Sequence, residues 1–211
     1  MRMRKKPHLQ PRMERCASVI IAEPEAHRGR WLQEFSGHSA LDIEIGCGKG
    51  RFTAGTAAAE RDVLLVAVER VAEAIVVAAE RAMDEGLENV KFLTQDAGSL
   101  DAVFAPGETR RIYLNFCDPW PKNRDVKRRL TYDEFLRLYD DILEPQGEIH
   151  FKTDNVPLFE YSLRAFERTG YDLVYVTRDL HENGPTGIMT DYEARFYAEG
   201  VKINKAVAKK K

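Results

Sequence analysis

The sequence predicts an α/β protein built on a mostly parallel, doubly wound sheet of about seven strands. Three observations carry this. Apolar strand-like runs alternate with helical ones along most of the chain, which implies right-handed crossovers between parallel strands. The run "VLLVAVE" (63–69) is almost continuously apolar, as a strand buried on both faces must be. The stretch "DIEIGCGKGRF" places glycines at 46, 48 and 50 between a strand and a helix, where open α/β sheets hold their ligands.

The elements follow in order. "ALDIEIG" (40–46) is an apolar strand running into the glycines, and "RFTAGTAAAE" (51–60) has the alanine content of a helix. After the strand at 63–69, "RVAEAIVVAAERAMDEG" (70–86) has helical spacing and stops at Gly86. "VKFLTQD" (90–96) is the third strand, followed by a short helix at 99–104 and the turn "APGE". "RRIYLNF" (110–116) is the fourth strand. "TYDEFLRLYDDILEPQG" (131–147) predicts a helix with Pro and Gly behind it, opened by a capping box of Thr131 and Glu134. "EIHFKTD" (148–154) is the fifth strand, "VPLFEYSLRAFERTG" (156–170) a helix ending at glycine, and "YDLVYVTRD" (171–179) the sixth strand. The loop "LHENGPTG", framed by glycine and proline, predicts a mobile lid leading to Thr190. A last short strand is expected in "VKINKAV" (201–207). The first 38 residues fit the alternation poorly. Residues 1–38 are set apart as an appended basic arm or helix, and 39–211 as the one domain.

At 211 residues, 44% hydrophobic and 31% charged, the chain has the size and composition of a soluble globular domain. A net charge of −2 excludes a protein coated in positive charge, so any nucleic-acid contact must come from local clusters. Three such clusters exist: "RMRKKPHLQPRMER", "KNRDVKRR" and "KAVAKKK". Cys16, Cys47 and Cys117 are odd in number and far apart, which argues against a zinc site and a disulfide framework. No metal is expected. No apolar region follows the basic N-terminus as in a signal peptide, and no run reaches membrane-spanning length. The chain is expected to be cytoplasmic, with no membrane partner.

The glycine spacing is G-x-G-x-G rather than the G-x-G-x-x-G of dinucleotide sites. Glu44 stands two residues before the first glycine. An acid there repels a pyrophosphate and suits a ligand with a cationic centre, such as the sulfonium of S-adenosylmethionine. Glu69 ends the second strand, the usual place for a carboxylate that accepts from ribose hydroxyls; that need is shared by both ligands. Asp96, placed to accept from an adenine amino group, Asp118 and Asp154 end the third, fourth and fifth strands. Five successive strands thus deliver an acid to one edge of the sheet.

The fourth strand runs into "NFCDPWPKNRDVKRR", where an acid and an indole precede five basic residues: Lys122, Arg124, Lys127, Arg128 and Arg129. A cationic cluster beside a strand-end site suits a polyanion. Trp120 fits two roles: a stacking platform for an extruded base, or a core residue under the next helix.

Together, "EIGCGKG", "NVKFLTQDA", "YLNFCDPWPK…KRR", "FKTDN" and "MTDYEARF" resemble the bacterial tRNA (guanine-N7)-methyltransferases from about residue 40 to 200. These are class I, Rossmann-like, S-adenosylmethionine-dependent enzymes acting on the guanine at position 46 of the tRNA variable loop. The glycine loop is generic; the D-P-W-x-K-x-R-x-x-K-R-R block is specific. The resemblance implies S-adenosylmethionine contacts at Glu44, Gly46, Gly48, Gly50, Glu69, Asp96 and Asp118. It implies substrate contacts at Lys122, Asp154, Thr190, Asp191, Tyr192 and Glu193, and RNA contacts at Arg124, Lys127, Arg128 and Arg129. It implies tRNA as the partner, and some relatives form homodimers. Cys117, Asn123 and Asp125 depart from the family's usual proline, lysine and histidine, and Asp125 puts an acid into the basic cluster.

Guanine N7 carries no proton, so attack on a sulfonium methyl needs no general base; positioning and electrostatics carry the reaction. The methylated base is cationic. Asp118 is the first candidate to stabilise that developing charge and Asp154 the second. Three rivals stand beside this reading. An amino-methyltransferase of adenine or cytosine would use "NFCDPW", but has two prolines where this chain has one. An NAD(P)-dependent oxidoreductase is disfavoured by the glycine spacing and Glu44. A non-catalytic RNA-binding protein would be expected to have lost the strand-end acids.

Overall fold

The computed structural model describes residues 8–211. The basic residues at positions 2–6 of the N-terminal cluster lie outside them. Seven strands form one sheet: β1 (Ala40–Ile45), β2 (Val63–Val68), β3 (Val90–Leu93), β4 (Thr109–Asn115), β5 (Leu143–Thr153), β6 (Asp172–Thr177) and β7 (Asn204–Lys209). Their order is β3-β2-β1-β4-β5-β7-β6. The first five run parallel, and β7 is antiparallel to both neighbours. The sequence order reverses direction between β1 and β4, and this switch point is where an open α/β sheet forms its crevice.

The helices are α1 (Leu9–Arg15), α2 (Trp31–Glu34), α3 (Arg51–Ala59), α4 (Ala72–Asp84), α5 (Leu100–Val103), α6 (Asp133–Ile142), α7 (Val156–Arg168) and α8 (Asp191–Ala198). Strand side chains alternate between two cores. On one face Ile43, Ile45, Val66, Leu114 and Phe151 pack with Leu136, Ile142, Phe159 and Phe166 of α6 and α7. On the other, Leu65, Ala67, Phe92 and Tyr113 pack with Phe52, Ala54, Ile75, Ala78 and Ala79 of α3 and α4. Alanines let α3 and α4 lie close together. A Cβ on Gly50 would sit 2.6 Å from the Ala78 Cβ, so only glycine permits this approach.

Residues 8–38 pack against the β3 edge of the sheet and its flanking helices α4 and α5. Ile20 bridges to Phe92 at the β3 edge, and the fully buried Trp31 donates from Nε1 to the Val103 carbonyl at 3.1 Å.

Two local expectations fail. The helix expected over 131–147 is shorter, and its N-cap is Tyr132 with no side-chain cap. Thr131 is buried and shares a 2.7 Å hydrogen bond with Ser162 of α7, so tertiary packing takes the hydroxyl from the cap. α6 then passes directly into β5, and "LEPQG" is strand with a register shift against β4. Gln146 at φ 68 and the crowded Gly147 mark that bulge. The capping box that does form is Thr190 with Glu193, opening α8, a helix that the alternation of strands and helices does not announce.

Candidate active site

β1 to β5 end in register at one edge: Ile45 beside Val68 and Leu114, Val68 beside Leu93, and Asn115 beside Lys152. The acids expected at strand ends come to this edge in unequal states. Glu44 is only 1% exposed. It accepts from the Thr53 hydroxyl at 2.6 Å and from Asn115 Nδ2 at 3.3 Å, tying β1 to α3 and β4 beneath the glycine loop. Burial pushes its carboxyl up to about 7, against the lowering pull of those two hydrogen bonds.

Gly46, Gly48 and Gly50 all have positive φ, at 81, 56 and 76°. The N–H groups of Gly46 and Cys47 donate to Val68 O at 2.8 and 3.2 Å, and Gly48 N donates to Glu69 Oε2 at 3.3 Å. Glu69 also accepts from Val71 N at 3.0 Å, so the β2-end carboxylate braces the loop. A Cβ on Gly46 or Gly48 would meet no atom within 4 Å, so bare backbone faces open space here. Asp96 is exposed, accepting from Gly98 N at 3.0 Å with Arg70 3.7 Å away.

The turn after β4 is strained. Phe116 (φ 52) and Trp120 (φ 41) both occupy the left-handed region, bracketing Cys117, Asp118 and Pro119. Phe116 N donates to Lys152 O at 2.8 Å, holding the turn to β5. Asp118 is exposed, and its carboxylate makes no hydrogen bond or ion pair among the described residues. Asp154, half-buried at the end of β5, is likewise free.

The basic cluster divides in two. The Arg128 guanidinium lies 3.5 Å from the Trp120 ring centroid. Arg129 donates to Pro119 O at 3.1 Å and Trp120 O at 3.0 Å, and stacks 4.4 Å from the Tyr161 ring. Both arginines thus hold the strained turn. Lys122, Arg124 and Lys127 project outward from the 3-10 turn Asn123–Arg128. Asp125 lies 3.9 Å from both Arg124 and Arg128 and draws on the cluster's charge.

Thr190 is half-buried as the N-cap of α8, Asp191 and Tyr192 are exposed, and Glu193 points inward with no exposure. Asp191 lies 3.8 Å from Arg51 at the start of α3. Three residues that sequence reasoning does not single out, Thr53, Asn115 and Lys152, build this region together with His181. Lys152 carries the one available signal, a cation inside the apolar strand "EIHFKTD", which requires a buried acid as partner. His181 lies in the lid loop, where the sequence allows a substrate contact; the structure turns it inward, 8% exposed and 3.1 Å from Glu193 Oε1.

The N–H groups of Gly46, Cys47 and Gly48 are taken up by Val68 and Glu69 at the end of β2, and Gly50 N donates to Cys47 O at 3.0 Å within the loop. These four amides leave nothing to cradle a pyrophosphate. Open space over bare glycines, with Glu69 and Asp96 beside it, fits an uncharged ribose and adenine instead.

The strand order, the reversed β7 and the glycine loop after β1 define a class I, Rossmann-like methyltransferase fold. Solved structures agree on the fold. A 16S rRNA methyltransferase, KamB, superposes with a TM-score of 0.66 at 16% identity, over 85% of this chain and 91% of that one. A structure described as "Structure of an antibiotic related Methyltransferase" gives 0.65 at 18%, over 84% and 91%. The family model Methyltransf_4, described as "Putative methyltransferase", matches residues 38–206. Curated relatives include the tRNA (guanine-N(7)-)-methyltransferases of Bacillus subtilis strain 168, 44% identical over 98% of this chain and 97% of the relative, and of Geobacillus kaustophilus, 45% over 99% and 96%. The chain belongs to the tRNA (guanine-N7)-methyltransferase family.

Proposed function

We propose that this protein transfers a methyl group from S-adenosylmethionine to N7 of guanine in tRNA, at position 46 of the variable loop. The observation that carries the reading is Asp118. It is an exposed carboxylate without a partner among the described residues, held on a strained turn between the glycine loop and an outward-facing cationic segment.

S-adenosylmethionine supplies an electrophilic methyl group. Glu69 and Asp96 would hold the ribose and adenine ends, Gly46 and Gly48 give backbone access, and Glu44 with Gly50 fixes the loop from behind. Asp118, with Asp154 nearby on β5, would stabilise the positive charge that grows on the base. Neither needs to remove a proton. Lys122, Arg124 and Lys127 would meet RNA phosphates, while Arg128 and Arg129 would act first through Trp120 and the turn. Asp191 and Tyr192 are the exposed members of the α8 segment offered to substrate. Amino-group methylation is not favoured, since its motif sets two prolines between the polar residue and the aromatic one, whereas Pro119 alone separates Asp118 from Trp120.

The test is incubation with radiolabelled S-adenosylmethionine and unmodified tRNA, followed by mapping of the modified base. Label on N7 of guanine 46 is the expected result. Label on an exocyclic amine, or none, overturns the reading.

A further inference from the structure

A buried polar cluster lies under the lid loop. Lys152 near the end of β5, His181 after β6 and Glu193 on α8 are 6, 8 and 0% exposed. The Lys152 ammonium donates to Glu193 Oε2 at 2.5 Å and to the Ile188 carbonyl at 3.0 Å, and lies 4.9 Å from the Phe52 ring centroid. Glu193 also accepts from Thr190 N at 3.3 Å. His181 Nδ1 lies 3.2 Å from Thr186 N and can only accept from it. The ring proton therefore sits on Nε2, which donates to Glu193 Oε1 at 3.1 Å. One carboxylate thus gathers β5, the lid and the first turn of α8.

Such a cluster is a poor source of stability. Desolvating two charges offsets their attraction, and an apolar pair of similar size often serves as well or better. What the cluster supplies is direction. Its bonds end on the backbone of Thr186, Ile188 and Thr190, three points of the lid. The lid is also seated on α3, where a Cβ on Gly55 would fall 2.7 Å from Ile188 Cγ2. With Glu193 facing inward, the same turn presents Asp191 and Tyr192 outward. Lys152 lies two residues before Asp154, at the edge where the reaction is placed.

We propose that Lys152, His181 and Glu193 form a latch that positions the 182–190 loop and the first turn of α8 for tRNA. Lys152 and His181 are then positioning residues, and Glu193 acts from inside rather than by touching the substrate. This rests on the tRNA reading above.

The test compares Glu193→Gln, His181→Gln and the charge-neutral double variant Lys152→Met/Glu193→Gln with wild type. Each is assayed by steady-state methylation of unmodified tRNA, S-adenosylmethionine affinity, thermal unfolding and amide hydrogen exchange. The latch predicts faster exchange at 183–190 and a KM for tRNA raised about tenfold or more, with cofactor affinity unchanged. The double variant regains the unfolding temperature without regaining the KM. Exchange at 183–190 equal to wild type overturns the latch. So does a KM that returns to wild type together with the unfolding temperature, which would mark a purely structural pair. A wild-type protein that leaves tRNA unmethylated would sink the functional reading and the tRNA half of the proposal; the exchange data would still judge the latch.

Discussion

The two flanks of the switch point are built to opposite plans. On the β1–β2 side the acids are consumed: Glu44 is buried under two hydrogen bonds, and Glu69 braces two backbone amides. On the β4–β5 side Asp118 and Asp154 have no partner among the described residues, and Lys122 and Lys127 project outward. The difference separates two tasks. A small ligand of fixed shape is served by a preformed pocket, whose geometry is set before binding. A large polyanion and a developing charge are served by side chains without internal partners, since a charge already paired has less to offer.

The sharpest way to break this contrast is Asp118→Asn. If the free carboxylate stabilises charge on the base, kcat falls by about 10²–10³, the scale for removing one preorganised electrostatic interaction, while tRNA affinity is little changed. Turnover near wild type at saturating substrates would remove Asp118 from the chemistry.

Glu44 tests the other flank through stability. Its carboxyl is pushed up to about 7 by burial, above its ordinary value of 4.5. Between those values the folded protein keeps a proton that the unfolded chain has released. Stability therefore falls as pH rises through this window, by about 3 kcal/mol in all. Denaturant unfolding of wild type and Glu44→Gln between about pH 4 and 8, a range chosen to span both values, reads this out. The wild-type slope should flatten in the variant. Parallel curves would mean that Glu44 is ionised when folded. Gly50→Ala asks a related question about α3 and α4: a Cβ 2.6 Å from Ala78 and φ at 76° should together cost about 2–4 kcal/mol. Gly48→Ala, with open space at its Cβ, should cost less stability and act on cofactor affinity.

The sequence shows these two flanks unevenly, for physical reasons. Strand–helix alternation and the glycine loop depend on local pattern, so the parallel sheet and its acid-bearing edge are legible residue by residue. Thr131 is not, because its hydroxyl answers to Ser162, 31 residues away, rather than to its own helix. The role of Glu193 is hidden for a like reason: its partners Lys152 and His181 lie 41 and 12 residues off in sequence. The motif segment "TDYE" does contain a capping box, but only burial shows which of its side chains face inward. The division within "KNRDVKRR" is equally invisible, since the five cations look alike until the turn at Trp120 claims two of them.

That division leads to a finer prediction, in the salt dependence of tRNA binding. Removing one cation that neutralises a phosphate should lower the slope of log affinity against log salt by about 0.7–0.9. Lys127→Ala and Lys122→Ala should each show that change with folding unaffected. Arg128→Ala should instead free the indole, at about 0.5–1 kcal/mol of local stability, and leave the slope nearly unaltered. The indole offers one face to Arg128 at 3.5 Å. A base stacking on that face must displace the guanidinium, whereas a base on the opposite face need not. If Arg128→Ala binds tRNA more tightly at high salt, Trp120 stacks through the face that Arg128 now covers. If binding weakens and the slope falls as it does for the lysine variants, Arg128 leaves the indole for a phosphate, and the segment belongs wholly to the open flank.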